Sequence, residues 1–351
     1  MGMRVLILSN MYPSEELPFA GVFVRNQVEI LQEEAGPTCD IDLSAMRRRF
    51  TGKLGSLLKY SRFALNCLPR LFRRYDIVHV HYFVPLGLIG AIYKILHPAS
   101  RIVVTFHGGD VRPAKFRGIR GRLWRVVSSR MDYGIAVGPG VAEAVENNLA
   151  VRKLDVLPAG VDSRKFYQAG STAVEERYDF VFAGSFSHRK GIDLIVNALR
   201  DSRLSTARLA FVGTGPMRNL IESIVGVEDV RIFDHLTQDR LREVFWASKF
   251  LVLPSRSEPF GLVVSEAMYC GTPVIVSSEP GPMSQVIHGR NGIVFDTGSV
   301  DGLCMAMDAA LAMSDIEYKR MASEAAQSNR QFDIYEVTRA LLKEYRSLCA
   351  V

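Results

Sequence analysis

The chain has 351 residues, 48% of them hydrophobic, and 43 Lys+Arg against 37 Asp+Glu give it a net charge of +6. This length exceeds the size at which one core stops growing, so two domains are expected, with ample apolar content for two cores. Five scattered cysteines (Cys39, Cys67, Cys270, Cys304 and Cys349) with no Cys-x-x-Cys pair exclude a disulfide framework or a zinc site and fit a reducing compartment. The charge is uneven: residues 1–160 carry 22 Lys+Arg and 13 Asp+Glu, or +9, and residues 161–351 carry −3.

Short apolar runs alternate with helical patterns through both halves, which predicts an α/β protein built on parallel sheets. Residues 1–8 hold too short an apolar run for a signal peptide. The first strand, residues 4–8, leads through Ser9-Asn10-Met11-Tyr12-Pro13 to Gly21 at the start of a helix. A glycine there lets backbone approach a phosphate closely, although a simple turn is the plainer reading of Gly21 alone. Further strands are expected at residues 41–43, 77–80, 102–106, 133–137 and 154–157. Asp40 and Asp42 fall on one face of the second strand, as a metal-ligand pair would. The segment is short, near the expected sheet edge and far from other motifs, so a solvated strand face is the better reading and no metal site is predicted.

From Arg47 to Arg74 there are nine basic residues and no acid, interleaved with Phe50, Leu54, Leu57, Leu58, Phe63, Leu65, Leu68, Leu71 and Phe72. From Arg112 to Arg130 there are seven more, again without an acid. Basic and apolar side chains mixed in this way suit an anionic membrane surface, at about 1 kcal/mol per basic residue near it. The alternative is a pair of amphipathic helices with solvated basic faces. No nucleic-acid-binding motif accompanies the charge, so nucleic acid is not expected as a partner. The longest apolar run, residues 82–93, contains Pro85, Gly87 and Gly90 and falls short of the ~20 residues that span a bilayer. It is expected as a buried helix packed on the sheet. After the strand at 102–106 comes His107-Gly108-Gly109-Asp110, a poor core element and a good binding loop at a strand's carboxyl end. His79 and His81 are expected as core or turn residues.

Residues 158–166, followed by the polar stretch 168–177, form the expected domain linker. The second half predicts strands at 180–183, 209–212, 230–233, 250–253, 274–276 and 292–294. Gly184-Ser185-Phe186-Ser187-His188-Arg189-Lys190-Gly191 follows the first of these and opens a helix. A cation at a helix start, where the dipole already favours an anion, fits a diphosphate and marks Lys190, with Arg189 beside it. Gly213-Thr214-Gly215-Pro216 supplies a second glycine turn. Arg218 stands where a dinucleotide fingerprint has its third glycine, which argues against a nicotinamide or flavin enzyme.

The strand at 250–253 runs into Ser255-Arg256-Ser257-Glu258-Pro259-Phe260-Gly261-Leu262-Val263-Val264-Ser265-Glu266-Ala267-Met268. Gly261 opens a helix, Glu258 sits in the preceding loop and Glu266 lies about one turn inside. Free N–H groups at the helix start attract a phosphate, and a carboxylate on either side can hold hydroxyls, which is the layout of a nucleotide sugar. An acidic first turn that merely suits the helix dipole is the plainer reading of the two glutamates taken alone. Residues 333–349 carry an apolar stripe and read as a final helix.

The whole string resembles the Glu-x7-Glu motif of retaining glycosyltransferases of the GT-B fold, in glycosyltransferase family 4. Gly271-Thr272-Pro273-Val274-Ile275 and Gly289-Arg290-Asn291-Gly292 are typical of that family, and further likenesses follow the family's order over roughly residues 4–312. They include the Pro-x-Gly-Val-Asp element at 158–162, with Ala159 where asparagine is common, the His-Gly-x-Asp element from His107 to Asp110, and Lys190-Gly191.

The resemblance implies two Rossmann-like domains with parallel sheets facing across a cleft. Residues 1–165 would form the acceptor domain, 166–332 the nucleotide-sugar donor domain, and 333–351 a helix crossing back to the first. The implied reaction moves a hexose-type sugar from a nucleotide-diphosphate sugar to a hydroxyl of a glycan or polyprenyl-linked acceptor, with retention and with no metal or cofactor. Such enzymes assemble bacterial cell-surface polysaccharide or glycolipid, which here implies a cytoplasmic protein peripheral on the inner membrane face. By the same resemblance His107 would face the donor sugar and Asp110 would orient the acceptor hydroxyl. Lys190 would bind the diphosphate, while Glu258 would hold sugar hydroxyls with the N–H groups of Phe260 and Gly261. Glu266 would accept from ribose, and Gly21, Gly213, Gly215 and Leu262 would adjoin the donor. The family often has an arginine five residues before the lysine; Ser185 stands there, and Arg189 is the candidate substitute. Two rivals are a nucleotide-sugar 2-epimerase of the same plan and a degenerate sugar-nucleotide-binding protein.

Overall fold

The structure, a computed structural model, describes residues 2–16, 20–47, 52–170, 177–225 and 229–350. Arg48, Arg49 and Phe50 of the first basic segment and residues 171–176 of the linker lie outside the described residues, as do the side chains of Lys53, Leu54, Leu57 and Leu58. The chain forms two compact units: unit 1 is Met1–Gly160 with Ile334–Val351, and unit 2 is Val161–Asp333.

Unit 1 runs β1 (Met3–Ser9), α1 (Val22–Ala35), β2 (Cys39–Ala45), α2 (Gly52–Leu71), β3 (Ile77–His81), α3 (Phe83–Leu96), β4 (Arg101–Phe106), α4 (Gly118–Ser128), β5 (Tyr133–Ala136), α5 (Pro139–Asn148) and β6 (Leu154–Val156). Its strands make one parallel sheet in the order β2-β1-β3-β4-β5-β6. The inner strands β1, β3, β4 and β5 read as largely apolar runs because both faces are covered. Leu6, Val78, Val80, Ile102 and Val104 pack under α2 to α5, while Val5, Ile7, Ile77 and Val103 pack on the opposite side with α1. On the edge strand β2, Asp42 accepts from Arg70 at 3.1 Å and from the Tyr75 hydroxyl at 2.6 Å, and Asp40 lies 3.6 Å from Arg4.

The helix expected at 82–93 differs from expectation. Phe83, Leu86, Ala91 and Tyr93 of α3 are buried, whereas Leu88, Ile92, Ile95 and Leu96 are exposed. A helix laid on a sheet buries only its inner stripe, and here the outer stripe is apolar as well.

Unit 2 runs β7 (Tyr178–Ala183), α6 (Ile192–Ala198), β8 (Arg208–Val212), α7 (Arg218–Glu222), β9 (Asp229–Phe233), α8 (Gln238–Trp246), β10 (Ser248–Leu253), α9 (Leu262–Tyr269), β11 (Val274–Ser277), α10 (Pro280–Met283), β12 (Gly292–Phe295), α11 (Val300–Leu311) and α12 (Asp315–Ser328). Its parallel sheet has the order β12-β11-β10-β7-β8-β9. The last helix, α13 (Ile334–Cys349), follows unit 2 in sequence but belongs to unit 1. Its Leu341, Leu342 and Tyr345 are buried with Val5, Ile7, Val24 and Val28. Lys153–Glu344 and Arg339–Glu34 ion pairs, at 2.7 and 2.8 Å, flank it. Residues 161–165, grouped with the first domain on sequence, belong to unit 2. There Val161 donates its N–H to the Phe332 carbonyl at 2.8 Å and Phe166 is buried in the core.

Candidate active site

In unit 2 the strand order reverses between β7 and β10, and open α/β sheets bind ligands at the carboxyl edge of such a switch point. The loops leaving these two strands meet there. Gly191 and Gly261 are left-handed, with φ of 75° and 86°, and start α6 and α9 with no capping side chain. First-turn N–H groups left uncapped are available to an anion. A Cβ at Gly191 would lie 2.1 Å from the Pro254 carbonyl oxygen, so only glycine lets the two loops touch.

Arg256 fastens the loops. Its N–H donates to the Arg189 carbonyl at 2.8 Å, and its guanidinium donates to the His188 carbonyl at 2.7 Å and to both Asp193 oxygens at 2.8 and 2.6 Å. Burial raises the Asp193 carboxyl, but the Arg256 hydrogen bonds outweigh it and hold the group below the usual carboxylate range. Arg189 in turn donates to the Ser257 carbonyl at 2.7 Å. With the loops so held, the Lys190 ammonium is ion-paired with Glu258, and Arg189 lies 4.0 Å from the same carboxylate oxygen. The Lys190 and Glu258 side chains are only 13% and 11% exposed. The candidate ligands for the diphosphate and for the sugar thus neutralise each other.

The other expected donor residues of unit 2 lie at the start of α9 and on the loop after β8. Gln285 donates to the carbonyls of Phe260 at 2.7 Å and Gly261 at 3.3 Å, and accepts from the Ser265 hydroxyl, which fixes the start of α9. The Phe260 ring is buried against Phe332, so its N–H is what it can offer a ligand. Leu262 is the first residue of α9, and Glu266 follows one turn later, its carboxyl pushed up to about 7 by burial. Gly213 and Gly215 lie against the backbone of Gly184 and Phe186, on the loop that carries Lys190. Ser185 faces Ser187, with 3.3 Å between their hydroxyls.

In unit 1 the order reverses between β1 and β3. Gly21 caps α1, and just inside it Phe23 stacks near His107, at 5.0 Å between ring centroids. Tyr82 packs on the same imidazole at 4.3 Å, from a backbone with φ 69°. A non-glycine residue in that region costs of order 1–3 kcal/mol, and such strain gathers at functional sites. Behind His107 runs a ladder of imidazoles: His81 Nδ1 is 3.2 Å from His107 Nε2, and His79 stacks on His81 at 4.4 Å. His79 ends the ladder on the hydroxyls of Thr105 (2.7 Å) and Tyr345 (2.5 Å). Burial drives all three histidines below their ordinary range, His81 to about 3, so each is neutral near pH 7.

Asp110 closes the same loop. It is buried, and its oxygens accept from the N–H groups of Phe83 at 2.7 Å and His107 at 2.9 Å, while burial raises its carboxyl to about 6. Through these two bonds it holds the His107 loop to the start of α3. Sequence reasoning missed Arg256, Asp193, Gln285 and Tyr82. Arg256 stood inside the motif string and Asp193 in the first turn after Lys190-Gly191, but Gln285 and Tyr82 carried no local signal.

This architecture is shared with solved structures. Sucrose-phosphate synthase from Thermosynechococcus elongatus matches at a TM-score of 0.79 and 21% identity, over 99% of each chain. Anabaena HepE, in complex with UDP and glucose, matches at 0.76 and 17% identity, over 98% of this chain and 100% of its own. An uncharacterised glycosyltransferase of Methanocaldococcus jannaschii is 30% identical over 233 residues. That match covers 65% of this chain and 63% of the relative, so it spans less than two thirds of the relative's length. Two family models divide the chain, Glycosyltransferase Family 4 over residues 21–165 and glycosyl transferases group 1 over residues 163–328. The chain belongs to glycosyltransferase family 4. Its two six-stranded parallel sheets are those of the GT-B fold. In this family 4 chain the boundary between the two models falls within four residues of Val161, where unit 2 begins.

Proposed function

We propose that this family 4 chain transfers a hexose-type sugar from a nucleotide-diphosphate sugar to a hydroxyl of a glycan or polyprenyl-linked acceptor, retaining the anomeric configuration and using no metal or cofactor. The Lys190–Glu258 pair at the switch point of unit 2, set between two glycine-started helices, carries this reading. A donor's diphosphate takes Lys190, with Arg189 close by and the first N–H groups of α9 beneath it. Glu258, released from Lys190, accepts hydrogen bonds from sugar hydroxyls, and Glu266 accepts from ribose. The bond from the anomeric carbon to the diphosphate breaks while the acceptor oxygen bonds to that carbon on the same face. The acceptor's proton passes to the departing diphosphate. Lys190 and Arg189 stabilise the negative charge that develops there, and one such interaction is typically worth ~3–4 kcal/mol.

Unit 1 presents the acceptor at the edge formed by Phe23, Tyr82 and His107, with Asp110 and His81 positioning His107. The UDP and glucose bound by HepE support a nucleotide sugar as donor. The basic balance of residues 1–160 supports work at the inner face of the cytoplasmic membrane, in cell-surface polysaccharide or glycolipid assembly. Among the described residues no helix is long and apolar enough to cross a membrane. The test is incubation with UDP-, GDP- and ADP-sugars, with and without glycan and polyprenyl-linked acceptors, followed by NMR of the product. A product with the donor's anomeric configuration is expected. Sugar epimerised at C2 without acceptor would establish the 2-epimerase, and diphosphate binding without turnover the degenerate protein.

A further inference from the structure

α2, α3 and α4 lie side by side on one face of the unit 1 sheet, sharing one buried layer, and α3 packs against both neighbours. A helix facing water carries a polar outer face, whereas these three carry large apolar side chains on theirs as well. α2 exposes Leu65 and Leu68, with Phe72 exposed in the turn that follows it, and α3 exposes Leu88, Ile92, Ile95 and Leu96. α4 exposes Ile119, Leu123 and Val126. Steps of three and four place each set along one side of its helix. Phe72 and Ile119 are 80% and 84% exposed, an outward placement that soluble monomers seldom repeat over adjoining helices.

The charge carried by these three helices has one sign. From Arg47 to Met131 the chain has eighteen Lys+Arg and two acids, Asp76 and Asp110, and neither acid is on α2, α3 or α4. Asp110 is buried, and Asp76 accepts from the Arg4 N–H at 2.7 Å. Arg62, Arg120, Arg122 and Arg125 are exposed among the apolar stripes. A second copy of this face would repel it, and nucleic acid would leave the stripes uncovered. An anionic bilayer accepts both components, apolar side chains at the acyl boundary and guanidinium groups on phosphates.

We propose that the α2–α3–α4 face of unit 1 docks on an anionic lipid bilayer, with Phe72, Ile92, Ile95 and Ile119 entering the acyl boundary and the α2 and α4 arginines on lipid phosphates. α3 starts at Phe83, whose N–H is held by Asp110 of the His107 loop, so the docked face adjoins the edge assigned to the acceptor. The inference deepens the reading of a lipid-linked acceptor and rests on it for the acceptor alone. The test is co-sedimentation of the full chain with phosphatidylcholine vesicles, with and without roughly one third phosphatidylglycerol, at about 0.05 and 0.5 M salt. Binding is expected only with the anionic lipid, weaker at high salt, and at least about tenfold weaker in Phe72→Ser/Ile119→Ser. Both side chains face outward, so that variant keeps its thermal shift with nucleotide diphosphate. Arg120→Glu/Arg122→Glu should weaken binding too. No vesicle binding, or binding that both variants leave unchanged, overturns the proposal, as does dimerisation abolished by Phe72→Ser/Ile119→Ser. A nucleotide shift without vesicle binding leaves the donor reading standing; vesicle binding without a nucleotide shift does the reverse.

Discussion

Replacing Glu258 with glutamine should tighten the binding of free nucleotide diphosphate while slowing transfer. Lys190 is ion-paired with Glu258, and both side chains are nearly buried. A diphosphate must displace that contact, and a hydrogen bond between charged groups in such surroundings is worth ~1.5–3 kcal/mol. The displaced carboxylate then stays near the phosphates. At about 6 Å, like charges repel by ~0.7 kcal/mol at the dielectric of water and ~2.8 kcal/mol at an effective value of 20. Free diphosphate brings no sugar hydroxyls to reward Glu258, so glutamine removes both costs. Even a net gain of ~1.4 kcal/mol makes the dissociation constant tenfold smaller. Turnover with the full donor should fall by about 100-fold, because a preorganised contact to the reacting sugar is lost. Isothermal titration, with whichever of UDP, GDP or ADP gives the largest thermal shift, reads the first effect, and steady-state kinetics reads the second. Diphosphate binding equal to or weaker than wild type in Glu258→Gln would refute the idea that this pair gates the phosphate site.

Lys190→Ala should lower turnover about 100-fold or more, and Arg189→Ala less, since its guanidinium is partly spent on the Ser257 carbonyl. Wild-type kinetics in Arg189→Ala would leave the absent arginine at Ser185 without a substitute. Glu266 has a folded pKa of about 7, above its ordinary 4.5, so the native state keeps a proton that the unfolded chain releases between those values. Stability should therefore fall as pH rises from about 4.5 to 7, by up to ~1.4 kcal/mol per unit, and urea titrations of Glu266→Gln should lack that slope. The imidazole ladder acts in the opposite sense. His79, His81 and His107 stay neutral when folded and take up protons when unfolded below about 6.5, so each removes up to ~1.4 kcal/mol per unit as pH falls. His81→Asn should flatten that acid limb in urea unfolding; an unchanged limb would place the proton uptake elsewhere.

The inner strands were legible because parallel strands covered on both faces appear as short apolar runs, from Val5–Leu8 in unit 1 to Phe250–Leu253 in unit 2. The outward stripe of α3 was not, because an apolar residue on a helix gives no sign of whether anything covers it. The same limit applied at the sites. Gly191 and Gly261 stood out by type and position, but the pairing of Lys190 with Glu258 joins residues 68 positions apart and depends on how two loops meet. Asp110 sat in the expected loop, yet which of its neighbours would claim its oxygens depended on where α3 begins. His79 and His81, expected as core or turn residues, are buried. Their connection to His107 needed the register of β3 beside β4, where His81 pairs with Thr105 two residues short of His107.

α13 has a consequence for the order in which the protein forms. Residues 334–349 are synthesised after all of unit 2, yet Leu341, Leu342 and Tyr345 fill one side of the unit 1 core. On the ribosome, unit 2 can close its core while unit 1 waits with Val5, Ile7 and Val28 uncovered and with His79 lacking the Tyr345 hydroxyl. The first half of the gene is thus the last half of the protein to mature, and a nascent chain halted before residue 334 would hold a finished unit 2 and an unfinished unit 1.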